Sequence, residues 1–301
     1  MPQGLQTAPA CFMRLVRKLL KGCESFAEGY LDDLSVYSNS WEEHLIHLRE
    51  VLSRIDKANL TIKPSKVQLA KGKVRYLGKK VGAGSISPQA EKVACIQRVS
   101  RPVSKRDLRG FLGMVGYYAK FIDGYGGRAS ALTDMLKKSV SEPLVWSESA
   151  VKAFEDLRSC LSSKPLLRGP DYSKPFIIHS DASLKAIGGV ICQGNENGVE
   201  QPIAFASRKL LSREKNYSII ELELLAILYL VDKFRNYLWG NEFVIYCDHR
   251  PLSYLESKNM IGNARLTRWA LSLQPYKFRI LHRPGKKNQD ADFLSRVELD
   301  D

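Results

Sequence analysis

Lys174–Gln193 reads KPFIIHSDASLKAIGGVICQ, and its reading decides the fold of the C-terminal half. Phe176, Ile177 and Ile178 form an apolar run that delivers one carboxylate, Asp181, into a turn, and a second strand over 186–192 follows at once. A buried strand that ends in an acid is an odd use of a core position. Desolvating a carboxylate costs several kcal/mol unless something cationic meets it. No Lys or Arg of this half stands out at equal depth. Three further acids do, and a metal ion is the counter-charge that suits four carboxylates.

Outward from that stretch the pattern continues as strands and helices in one layer. Strands are expected at 175–181, 186–193 and 201–207, then a long helix from about Arg213 to Tyr237. A strand at 243–248, helical pieces near 250–257 and 263–273, a strand at 277–282 and a helix at 288–296 complete the region. Three antiparallel strands, a helix and further strand–helix units make an α/β (α+β) layer fold with a mixed sheet.

Four acids fall at special positions of this layout. Asp181 ends the first strand. Glu223 shares a helix side with Leu224, Ile227, Leu228 and Val231, so it should turn partly toward the sheet, whereas Glu221 reads as a solvated helix residue. Asp248 ends the fourth strand in VIYCDHRP, and Asp292 opens the last helix in NQDADFLSR. Each has a bland alternative, a turn or a helix cap. Together they could cage two Mg²⁺ ions, with Mn²⁺ as a substitute, and hard oxygen ligands suit both. Two such ions about 4 Å apart can hold the attacking water and the leaving oxygen of a phosphodiester displacement.

The N-terminal half has a different character. The net charge of +14 is concentrated there: residues 1–170 carry +12, and 54–109 alone hold 15 Lys/Arg against 3 Asp/Glu. A basic block beside a near-neutral region with clustered acids suggests a polyanion held by one part and worked on by the other. The bland alternative is a solvated basic surface. Helical spacing appears over Met1–Gly22 (Phe12, Leu15, Val16, Leu19), Trp41–Ala58, Ser104–Phe121, Leu132–Lys137 and Ser149–Ser162. Ser104 with Asp107 forms a capping pattern. Phe26–Ser38 reads as two short strands around Tyr30-Leu31-Asp32-Asp33, where adjacent acids are ordinarily a turn signal. Leu60–Ile62, Val67–Leu69 and Val74–Val81 read as short strands, and Leu166–Asp171, with prolines nearby, as a linker.

Six scattered cysteines with no CxxC pair argue against a zinc site and a disulfide framework, and fit a reducing, cytoplasmic or nuclear compartment. No apolar run is long enough to span a membrane.

FIIHSDAS, ELELLAILYL, VIYCDHRPL and RPGKKNQDADFLSR, in that order, resemble the RNase H domain of gypsy-type LTR retrotransposon Pol polyproteins. AFASRKLLSREKNYS and RWALSLQPYKFRI match the same family between those motifs. The resemblance implies that Asp181, Glu223, Asp248 and Asp292 hold the metals, with Asp290 only a neighbour. It also implies a catalytic or product-release role for His282, ten residues before the last acid, although an ordinary strand residue is equally consistent there.

The N-terminal half is similar to the reverse transcriptase of the same polyproteins. MPQGLQTAPACF matches the segment lining the nucleotide pocket, which places Gln3 and Gly4 there. YLDD matches the catalytic turn of the palm, which would make Asp32 and Asp33 metal ligands; KVRYLGKKV matches the primer-gripping hairpin and DLRGFLGMVGYYAKFI the thumb helix. The implied division is 1–85 partial palm, 86–170 thumb and connection, and 171–301 RNase H-like domain. The family's third polymerase acid and its fingers precede the PQG segment and have no counterpart after Met1. The expectation is therefore RNase H activity on RNA–DNA hybrids, with polymerase activity lost unless a longer polyprotein or a homodimer supplies the rest. A template–primer duplex is the second expected partner. The alternative is a non-catalytic remnant that only binds nucleic acid.

Overall fold

The computed structural model describes residues 5–163, 166–248 and 264–282. The chain divides into two compact units, Met1–Leu77 and Gly78–Asp301.

The first unit contains α1 (Ala8–Leu19), the strands β1 (Ala27–Tyr30) and β2 (Asp33–Val36), α2 (Trp41–Lys57) and β3 (Val74–Tyr76). Ser40 caps α2 by accepting the Glu43 N–H at 3.2 Å, and Glu42 and Glu43 fill the first turn, where the helix dipole favours negative charge. Arg54, near the other end of α2, donates to the carbonyls of Leu19 and Lys21 at 3.1 and 2.6 Å. Carbonyls at the end of α1 have no partner within the helix, so this guanidinium ties the two helices together. Val16, Leu19, Leu20, Cys23, Ala27, Val51 and Ile55 form the small core between them. Gly29 belongs to the same packing: a Cβ there would lie 2.4 Å from Val16 Cγ1, so only glycine lets the hairpin reach α1.

Two expected strands are absent. Residues 60–62 and 67–69 are irregular, and a single 3₁₀ turn, Pro64–Lys66, separates them. Alternation over three residues does not make a strand unless a neighbour takes its backbone hydrogen bonds.

The second unit begins with β4 (Lys79–Gly82), β5 (Ser85–Pro88), α3 (Ala90–Gln97), α4 (Lys105–Gly116), α5 (Tyr125–Arg128), α6 (Ser130–Asp134), α7 (Glu148–Ser159) and β6 (Leu167–Arg168). β5 pairs antiparallel with both β4 and β6. Leu167, read from sequence as part of a linker, is a strand residue buried in the core. Ser104 caps α4 by accepting the Asp107 N–H at 3.1 Å, as the spacing predicts. Leu108, Phe111 and Val115 of α4 then meet Phe154 and Leu157 of α7, with the Phe111 and Phe154 rings 4.7 Å apart.

That core continues onto one face of a five-stranded sheet. Its strands are β7 (Phe176–Ala182), β8 (Ala186–Gly194), β9 (Glu200–Lys209), β10 (Glu242–Cys247) and β11 (Lys277–His282), in the order β11-β10-β7-β8-β9. β7, β8 and β9 run antiparallel, while β10 is parallel to both β7 and β11, which is the expected mixed sheet. Val190, Cys192 and Phe205 face the helical layer. Phe176, Ile178, Ile191 and Ile245 face the other way, onto Leu224, Ile227, Leu230 and Val231 of α8 (Ile219–Lys233).

The stretch expected as one helix from 213 to 237 is a 3₁₀ turn, α8 and the short α9 (Arg235–Leu238). A capping box explains the later start: Ser218 and Glu221 satisfy each other's backbone donors, so the helix begins at Ile219. The last described helix, α10 (Ala264–Leu273), buries Leu266 and Leu273. The expected helices near 250–257 and 288–296 lie outside the described residues.

Candidate active site

β7 is the central strand of the sheet, and its C-terminal end carries Asp181. β10 runs parallel beside it with Tyr246 opposite His179. Two residues further along each strand, this register brings Asp248 level with Asp181. Ser180 Oγ donates to the Tyr246 carbonyl at 3.3 Å and ties the two strands just before the acids.

Glu223 arrives from the helix side. α8 lies close on the sheet because Gly189 leaves room: a Cβ there would sit 2.0 Å from the His179 carbonyl oxygen and 2.7 Å from Leu230 Cδ1. Glu223 is only 3% exposed, in line with its inward helix face. Glu221 is not the solvated residue that the sequence suggested. It is buried, its Oε2 accepts the Ser218 N–H at 2.9 Å, and its Oε1 accepts from Arg265 at 3.0 Å. The two glutamates have therefore separated, one completing a cap and an ion pair, the other facing acids.

The electrostatics of Glu223 follow from this placement. Burial pushes its carboxyl up to about 8, helped by the charges of Asp248 and Asp181 and by a hydrogen bond with Asp248 that favours the protonated form. Asp181 is also raised, first by loss of water around its carboxyl and then by Asp248, while the Ala182 N–H partly opposes the shift. The residue as a whole stays open to solvent, so the site has a mouth. Glu223 Oε2 is buried with no hydrogen-bond partner, alone in this among the buried side-chain oxygens and nitrogens of the described residues. An orphaned carboxylate oxygen facing two further acids is what hard divalent cations satisfy, so these residues fit Mg²⁺.

His282 ends β11, opposite Cys247, and its Nε2 donates to the Asp248 carbonyl at 3.1 Å. It is exposed and reaches the backbone of an acid-bearing loop, not a carboxylate. Asp292 lies outside the described residues, as do Gln3 and Gly4.

Asp32 and Asp33 sit in the first unit at the β1–β2 turn, where Leu31 takes a φ of 52° and its N–H meets Met13 Sδ at 2.8 Å. Both acids are exposed. Asp33 pairs with Tyr30 in the hairpin. Its charge contributes, after burial and Glu28, to raising the Tyr76 hydroxyl.

Sequence reading missed one charged feature. Lys120 is held down to about 8, first by burial and then by the neighbouring Lys79. Lys79 Nζ stands 5.4 Å from the centre of the Tyr117 ring. Two crowded lysines beside an aromatic ring make a ready contact for a phosphate, which would favour the charged form of Lys120. The YYAKF stretch carried the signal, an aromatic pair next to a lysine, but it reads equally as helix core.

Comparisons with known proteins bear on the family and the fold. A reverse transcriptase (RNA-dependent DNA polymerase) profile matches residues 1–81, and a profile for the RNase H-like domain found in reverse transcriptase matches 171–276. The retrovirus-related Pol polyprotein from transposon opus of Drosophila melanogaster is 38% identical over 99% of this chain and 30% of its own length. The transposon Tf2-3 polyprotein of Schizosaccharomyces pombe is 34% identical over 99% of this chain and 22% of its own. The chain thus spans under a third of the curated relatives it matches. A foamy viral protease-reverse transcriptase in complex with double-stranded DNA superposes with a TM-score of 0.82 at 22% identity, covering 94% of this chain and 50% of that one. The same type of protein in complex with an RNA/DNA hybrid gives 0.79 at 21% identity, covering 100% and 40%.

Proposed function

Because this chain belongs to the reverse transcriptase–RNase H family of retrotransposon Pol polyproteins, we propose that its C-terminal region hydrolyses the RNA strand of RNA–DNA hybrids. The observation that carries the reading is the buried Glu223 carboxyl, which meets Asp248 and Asp181 while its Oε2 has no hydrogen-bond partner. Asp181, Glu223 and Asp248, with Asp292, would hold two Mg²⁺ ions, or Mn²⁺ in their place. Bound there, the ions would supply charge neutralisation for a phosphodiester and activation of water.

The chain's own residues have distinct parts in this reading. Asp181 and Asp248 present their charges at the sheet end, held level by the β7–β10 register. Glu223 closes the site from α8 and keeps water from its inner side. His282 would position the backbone of Asp248 through its hydrogen bond to that carbonyl, and a part in product release would rest on the family resemblance alone. Lys79, Lys120 and the wider basic block of 54–109 would bind phosphates without reading sequence. On this reading the division into a palm portion over 1–85, a thumb and connection over 86–170 and an RNase H-like domain over 171–301 is part of the proposal. So is a cytoplasmic or nuclear location, supported by six free cysteines.

A labelled RNA–DNA hybrid incubated with the purified chain and Mg²⁺ tests the nuclease, with Asp181→Asn beside it. Cleavage that the variant lacks is the expected result. No cleavage by the folded chain would leave the non-catalytic reading, a protein that binds nucleic acid only.

A second reading is RNA-directed DNA synthesis as part of a longer polyprotein or a homodimer. The β1–β2 hairpin favours it by presenting Asp32 and Asp33 together at its turn, where two metals could be shared with a nucleotide held by Gln3 and Gly4. Primer extension on an RNA template by this chain tests it directly.

A further inference from the structure

A second cluster of ligand-type side chains lies away from the carboxylate end of the sheet. We propose that His179, Cys192 and Glu200 form a site for one zinc ion that pins β7, β8 and β9 together. The His179 ring nitrogen, the Cys192 sulfur and a Glu200 carboxylate oxygen all lie within 4.8 Å of one another. Imidazole, thiolate and carboxylate are the three donor types that zinc uses, commonly with water in the fourth position.

The strand register explains how residues so far apart meet. His179 is opposite Val190, and Cys192 is opposite Ile177, two residues nearer the start of β7. Glu200 opens β9 opposite Gly194. The cluster therefore extends from His179 away from Asp181, which pairs with Gly188 at the other end.

Geometry readies the donors, while burial and the Glu200 charge hold the Cys192 thiol well above its usual range, so an ion must displace its proton. His179 is buried, and its ring stacks on Tyr246 at 5.2 Å and 11°, which fixes its plane with Nε2 toward the Glu200 carboxylate. Cys192 is 2% exposed, so it is shielded from oxidants and from competing thiols. The Glu200 side chain is 24% exposed, which gives an ion a way in. Without a metal the His179–Glu200 hydrogen bond satisfies both groups; with one, the imidazole would switch to its Nδ1–H tautomer, the Nε2 proton exchanging through solvent, so that Nε2 coordinates, and the thiol proton would leave to solvent as the zinc–sulfur bond forms. Mg²⁺ would not compete, because it prefers an octahedral shell of hard oxygens over sulfur and nitrogen. The absence of a CxxC pair, which spoke against zinc in the sequence, has no bearing on a site assembled across three strands.

The test is a Co²⁺ titration of the reduced full-length chain in excess Mg²⁺, which keeps hard-oxygen sites filled. Absorption is read for the thiolate-to-cobalt charge-transfer band, and zinc is then added. The expected result is a band that saturates at one equivalent, is bleached by zinc, survives in Glu223→Gln and is lost in Cys192→Ser. Zinc should also raise the melting temperature of the wild-type chain by several degrees and that of Cys192→Ser by none, since a ligand that binds only the folded state stabilises it. Should Cys192→Ser fail to fold, Glu200→Gln takes its place, with at least a tenfold loss of Co²⁺ affinity expected. No band in the folded wild type, a band that persists in Cys192→Ser, or unchanged affinity in Glu200→Gln would overturn the site.

Discussion

Two groups of acids among the described residues differ in how they are held. Asp32 and Asp33 are neighbours in sequence on the turn of a short hairpin, both exposed. Asp181 comes from β7, Asp248 from the residue that follows β10, and Glu223 from α8, and the three meet at one end of a five-stranded sheet. The first group keeps its water and needs no counter-charge from the protein. The second has given up water around Glu223 without gaining a hydrogen bond for Oε2. Acids adjacent in sequence mark a motif, whereas acids brought together against solvation mark a demand for cations.

The largest effect that would break this contrast concerns cleavage. Glu223→Gln keeps the size of the side chain and removes the buried charge. Loss of groups that merely orient metal ligands costs about 10–100-fold, so loss of a ligand should cost more than about 100-fold in hybrid cleavage. Hybrid affinity, read by anisotropy in Ca²⁺ or without metal, should change little, because Glu223 is too deep to touch phosphate. Cleavage near the wild-type rate would place the active carboxylates elsewhere.

A second effect is thermodynamic and separates the groups without any substrate. Glu223 has an ordinary value of 4.5 and stands near 8 in the folded chain. Between those values the folded state holds a proton that the unfolded state has released, so stability falls as pH rises through this window. The slope approaches about 1.4 kcal/mol per pH unit for one proton. The raised Asp181 acts in the same direction just above its ordinary value of 3.8. Urea unfolding of the metal-free chain at several pH values between 5 and 8 measures it. Glu223→Gln should flatten the decline, and so should saturating Mg²⁺ in the wild type, by stabilising the charged form. A slope that survives both would mean that another group carries it.

How much of this was legible in sequence depends on how locally each feature is determined. The inward face of Glu223 follows from its apolar neighbours at helical spacing, and Asp181 and Asp248 follow from apolar runs that stop at an acid. Each needs only its own element. The role of Glu221 was misread because its partner, Arg265, is 44 residues away. Leu167–Arg168 looked like a linker because two residues carry no periodicity, yet β5 pairs with them. The reverse error fell on 60–62 and 67–69, where alternation was visible but no partner strand accompanies it. His179, Cys192 and Glu200 were invisible as a group, since only the register of three strands unites them.

A smaller effect tests whether the basic region, and not the acids, governs affinity. Lys79→Glu or Lys120→Glu should weaken hybrid binding and lower the slope of log K against log salt by roughly one for each phosphate that is no longer neutralised. Binding by the Lys120 variant should also lose its weakening above pH 8, because the depressed ammonium of the wild type is discharged in that range. An unchanged salt slope in both variants would place the duplex on another surface.

The smallest expected effect belongs to the hairpin, and its smallness is the point. Asp32→Asn replaces an exposed acid by its neutral isostere, so unfolding free energy should move by less than about 0.5 kcal/mol. Hybrid cleavage should be unaffected, because the Asp181–Glu223–Asp248 group lies in a separately packed unit. Any primer extension that the chain shows should disappear in the same variant, since a two-metal polymerase site has no other use for an acid on that turn. The two assays thus take the acid groups apart: Asp32→Asn should silence synthesis alone and Glu223→Gln cleavage alone. A loss of hybrid cleavage in Asp32→Asn would mean that the two groups act on one bound duplex in a coupled way, and that the separation drawn from their solvation does not carry over to catalysis.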